Sequence, residues 1–101
     1  MILITVVIDT QPGSIGKLKD AIAALETATR AESGCIDYAF ASEINAPDSV
    51  RVIERWRDVD ALKAHLQAPH MAAFNAAIRA SPPKRVDVKM YNAAELPFPP
   101  Q

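Results

Sequence analysis

The stretch Ile2 to Asp9 (ILITVVID) leaves the chain few architectures. Ile2, Ile4, Val6 and Ile8 fall on one face of a strand, and Leu3, Thr5 and Val7 fall on the other. A strand that is apolar on both sides has to be covered on both sides. With 101 residues there is room for one domain and one sheet, so the chain's own helices can cover only one of those faces. The second cover has to come from outside the sheet.

After the break at Gln11-Pro12-Gly13, Ser14 is placed to cap a helix in which Ile15, Leu18, Ile22, Leu25 and Ala28 follow the 3.6-residue period. Glu32-Ser33-Gly34 closes it, with Gly34 suited to the left-handed position past a helix end. Ile36, Tyr38 and Phe40 then alternate with Asp37, Ala39 and Ala41 as a strand does. A turn at Asn45-Ala46-Pro47-Asp48 leads to a third strand from about Ser49 to Trp56, and so short a connection makes the pair antiparallel. Val59, Leu62 and Leu66 mark a short helix that Pro69 either ends or restarts, and Met71, Phe74 and Ile78 mark a second helical segment. Val86, Val88 and Met90 alternate in a last strand reaching about Asn92.

The order is therefore α+β, the ferredoxin-like β-α-β-β-α-β unit, with a four-stranded antiparallel sheet and helices on one face. Residues 1–94 form the domain, and the proline-crowded residues 95–101 form an extended arm. The face without helices is expected to meet a second copy, making a homodimer sheet to sheet.

Composition removes several function classes. Charged residues make up 23% of the chain at a net charge of −1, with no basic cluster, so neither a disordered chain nor a nucleic-acid binder is indicated. The lone Cys35 excludes an internal disulfide and reads as a small buried residue, which fits a reducing compartment. The opening apolar run is too short to span a membrane and lacks the flanks of a signal peptide, so no membrane partner and a cytoplasmic location are expected.

Chemistry is concentrated between Glu54 and Phe74, where the only tryptophan and both histidines stand close together. Glu54 shares a strand face with Trp56, either as a paired structural carboxylate or as a partly buried acid whose pKa is raised by desolvation. His65 and His70 are five residues apart across Pro69, which does not put both imidazoles on one helix face, and no carboxylate cluster adjoins them in the sequence. No metal site is expected. Each histidine is open to two readings, a structural one and a general base. Tyr38, Phe40, Phe74 and Tyr91 read as core aromatics whose phenolic hydroxyls need partners. With only three glycines there is no phosphate-cradling loop, so nucleotide and flavin fingerprints are absent.

The run IERWRDVDALKAHLQAPHMAAF, preceded by ESGCIDYAF and by the first strand with its PGS turn, resembles the antibiotic biosynthesis monooxygenase family, and within it the quinol monooxygenase-like members. The similarity extends to about Asn92. The resemblance implies a dimeric α/β barrel and, for the quinol-type branch, an oxygenase using no metal, flavin or haem. The haem-degrading branch uses an asparagine, a tryptophan and a histidine; the latter two positions align with His65 and Asn75, and the first strand holds no asparagine, so that activity is disfavoured.

Ground-state oxygen is a triplet, so without a cofactor the electrons come from an easily oxidised phenolate, and the protein needs to supply a base and dry walls. On that reading His65 or His70 is the base, and Trp56, Phe74, Tyr38 and Met71 wall a pocket between helices and sheet. Tyr91 or Glu54 bonds a substrate oxygen. The competing classes are an isomerase or other small-molecule enzyme on this scaffold, and a binding or stress-response dimer without catalysis.

Overall fold

The computed structural model describes residues 1–101 and contains seven elements: β1 (Ile2–Asp9), α1 (Ser14–Arg30), β2 (Cys35–Glu43), β3 (Ala46–Trp56), α2 (Val59–Leu66), α3 (Pro69–Ala80) and β4 (Arg85–Asn92). The strands form one antiparallel sheet in the order β2-β3-β1-β4. The fold is the expected ferredoxin-like one, with the second helical region split in two. Pro69 restarts the helix: Ala68 before it is extended at φ −71°, ψ 147°, as a residue preceding proline prefers, and Pro69 takes the first helical position.

Cross-strand register fixes what faces the helices. Tyr38, Glu54, Ile4 and Met90 lie side by side in one row, Phe40, Val52, Val6 and Val88 in the next, and Trp56 sits opposite Ile2. The core beneath the helices joins Ile2, Ile4, Leu25, Tyr38, Trp56, Ala61 and Leu62, with Phe40, Met71 and Phe74 packed against them. Asp37, Arg55, Leu3 and Tyr91 form a row on the opposite face, which no helix covers.

Three local expectations are corrected. Ser14 is the first helical residue, and its hydroxyl does not cap; Gly13, at φ 78°, turns the chain into the helix. Gly34 is not in the left-handed region. It is a glycine because a Cβ there would overlap the Cβ of Ala61, so the start of β2 and α2 can touch only without a side chain. The hairpin turn is Ile44-Asn45, so β3 begins at Ala46, earlier than the Asn-Pro-Asp composition suggests.

Candidate active site

The helix-facing row ends in a compact polar cluster. Asp58, two residues past the end of β3, caps α2: its carboxylate accepts the Ala61 N–H at 2.8 Å, starting the helix in the direction that carries His65 over the indole. His65 is 1% exposed, and its ring centroid lies 4.6 Å from that of Trp56 and 5.4 Å from that of Tyr38. The restart at Pro69 places His70 in the first turn of α3, with its ring centroid 5.9 Å from that of His65. Between them stands Glu32, from the loop after α1. A single oxygen, Oε2, accepts from His65 Nδ1 at 2.7 Å and from His70 Nε2 at 2.8 Å.

Glu32 is the residue that the sequence reading missed. The sequence places no carboxylate beside the histidines, but the fold supplies one across 33 and 38 residues of chain. Its signal lies in topology: Glu32 precedes Cys35, Cys35 pairs with Trp56, and so the α1–β2 loop adjoins the start of α2. With Glu32 ionised, both imidazoles donate to it. In the neutral rings this leaves Nε2 of His65 and Nδ1 of His70 as the acceptors. The three donor atoms lie within 4.8 Å of one another, a spacing that also suits ligands of a metal ion.

Glu54 is buried and accepts the Trp56 indole N–H at 3.0 Å, so its partner is an aromatic donor and not a basic side chain. Desolvation raises its pKa, opposed by the indole hydrogen bond and by attraction to His65. Burial, reinforced by the charge of Glu54, pushes the Tyr38 phenol upward as well, so it remains protonated at neutral pH. Burial also raises the Cys35 thiol, with Glu32 and Asp37 adding to the effect, which disfavours a reactive thiolate there.

Space is not where the sequence places it. Trp56, Tyr38 and His65 fill the volume beside the indole themselves. A cleft of about 270 Å³ opens instead between α1 and β2, lined by Ile15, Ile22, Glu26, Phe40 and Val50 among others. A smaller opening of about 100 Å³ lies between α1 and α3, lined by His70, Phe74, Leu25 and three alanines. Phe40 and Phe74, edge to face at 5.7 Å and 71°, stand between the two. The structure thus gathers Trp56, Tyr38, Glu54, His65 and His70, with Met71 and Phe74 against the same core. It does not gather Tyr91, which is paired with Leu3 on the other face of the sheet and is 46% exposed.

The family model for antibiotic biosynthesis monooxygenase matches residues 1–77, a span holding Glu32, Trp56 and both histidines. The chain belongs to the antibiotic biosynthesis monooxygenase family. It is 33% identical to the "Probable quinol monooxygenase YgiN" of Escherichia coli over 89 residues, covering 78% of this chain and 86% of that relative. Solved structures similar to it include PA3566 from Pseudomonas aeruginosa (TM-score 0.83, 26% identity, 93% and 94% of the two chains) and Rv0793 from Mycobacterium tuberculosis (TM-score 0.83, 23% identity, 94% and 96%). No helix is long and apolar enough to cross a membrane.

Proposed function

We propose that the protein is a cofactor-independent monooxygenase of a quinol or related small phenolic, with His70 as the base that Glu32 orients. The observation that carries this reading is the shared bond of Glu32 to both histidines, which runs from the core to the α1–α3 opening. His65 is sealed and serves as the inner member. His70 retains 22% side-chain exposure, and with Nε2 held by Glu32 its Nδ1 is the nitrogen left to take a phenolic proton. Quinol plus oxygen gives a hydroxyquinone plus water, a balance that needs no outside reductant. The α1–α3 opening falls below the roughly 150 Å³ that holds a benzene-sized guest, so Phe74 has to turn aside for a ring to reach the imidazole.

Similarity to a relative named as a quinol monooxygenase supports the substrate class. Oxygen uptake with simple hydroquinones and naphthohydroquinones tests it: uptake is expected in the native protein and is lost in His70→Ala. If His65→Ala and His70→Ala both turn over at the native rate, the histidines have no such role. A second reading, binding without turnover, is favoured by the solid packing of Trp56 against Tyr38 and His65, and it predicts saturable quinol binding with no oxygen consumed.

The same reading includes a second copy on the open sheet face. Leu3, Thr5 and Val7 are only partly covered, and Ile53 and Tyr91 are 40% and 46% exposed beside them. Tyr91 then serves the interface, and the arm with its exposed Phe98 acts as a clasp on the second copy.

A further inference from the structure

The two histidines of the chain come from different helices, and a loop carboxylate joins them. We infer that Glu32, His65 and His70 bind one divalent transition-metal ion, Zn²⁺ above all, and that the bound ion blocks proton transfer. The binding goes beyond the monooxygenase reading and needs no substrate; only the blocking rests on that reading.

The donor chemistry is that of a metal site. Two imidazoles and one carboxylate form a three-ligand set that leaves further positions to water, and imidazole nitrogens favour zinc and its neighbours over magnesium or calcium. The spacing is also near that of a site. Ligands about 2.0–2.2 Å from a tetrahedral ion lie roughly 3.3 Å apart, so the 2.7 and 2.8 Å contacts at Glu32 Oε2 need to open by about half an ångström, while the two imidazole nitrogens, which lie within 4.8 Å of one another, adjust to the same spacing.

The cluster is held ready for this. The Trp56 indole and Tyr38 ring fix the His65 plane, and Pro69 fixes the start of the helix that carries His70. Glu32 belongs to a loop and is 18% exposed, so it can give way. The ion takes the place of the protons at His65 Nδ1 and His70 Nε2. Each neutral ring then carries its proton on its other nitrogen, and His70 Nδ1 can no longer accept one from a phenol.

The test is a calorimetric Zn²⁺ titration of untagged full-length protein after dialysis against a chelator, with Co²⁺ absorption as a second readout. One ion per chain is expected in the native protein. His70→Ala and the nearly isosteric Glu32→Gln should each weaken it at least about tenfold at unchanged circular dichroism, while Cys35→Ser binds as the native chain does. Equal affinity in the native, His70→Ala and Glu32→Gln proteins, absence of saturable binding, or loss of binding in Cys35→Ser would overturn the site. Zn²⁺ should also slow quinol oxidation reversibly to chelation, and full turnover with the site saturated would overturn the blocking. If Zn²⁺ binds but no quinol is ever oxidised, the metal site stands and the monooxygenase reading falls; turnover without binding gives the converse.

Discussion

At the scale of single residues, Glu54 and Gly34 show how burial rewrites sequence expectations. Because desolvation raises its folded pKa, Glu54 binds its proton more tightly in the folded chain than in the unfolded one. Stability therefore falls as pH rises from the ordinary value of 4.5 through the folded pKa, and stays lowered above it. Glu54→Gln, whose amide oxygen still accepts the indole N–H, is expected to raise the melting temperature at pH 7, with the gain shrinking as pH falls towards 4.5; an equal gain at both pH values would contradict the burial cause. Gly34→Ala forces a methyl into Ala61 and is expected to destabilise by about 1–3 kcal/mol in denaturant unfolding. The sequence marked Glu54 as a possible buried acid because it alternates in step with Val50, Val52 and Trp56. It left Glu32 unmarked, because period and spacing report neighbours along the chain, and the partners of Glu32 are 33 and 38 residues away.

At the scale of elements, strand alternation in Tyr38 and Phe40 and the 3.6-residue pattern of α1 were legible, since each element has one apolar side towards a core. The turns were less so. Ile44, 95% exposed at the tip of the β2–β3 hairpin, carries none of the usual turn chemistry, and pairing between the strands places the reversal there. The break between α2 and α3 matters most for the site. One alanine inserted between Gln67 and Ala68 would lengthen the junction between α2 and α3 and displace the start of α3 by up to about 3.5 Å. His70 would then leave Glu32, and quinol-dependent oxygen uptake should be lost while far-ultraviolet circular dichroism retains its helical signal. Retained uptake would show that the junction does not set the geometry of the base.

At the scale of the whole molecule, the chain is a plate. Its extents are 43 × 33 × 19 Å and its radius of gyration is 14.3 Å, above the roughly 13 Å of a compact domain this long. Only 16 of 101 residues are buried, and on the open face Ile53 and Tyr91 remain 40% and 46% exposed. A plate with apolar residues on its open side calls for a partner, and Ile53→Lys is expected to shift the sedimentation equilibrium towards monomer at micromolar concentration with the fold intact. A native chain that is already a stable monomer there would remove the interface. The separation of the α1–β2 cleft from the Glu32–His65–His70 cluster has a consequence for how such chains diverge. Most of the cleft wall consists of α1 residues such as Ile15, Lys19, Ile22 and Ala23, none of which holds the histidines. Mutation can therefore recontour the cleft while leaving the Glu32–His65–His70 cluster in place, and lineages on this scaffold are free to change what the cleft accepts without rebuilding the cluster.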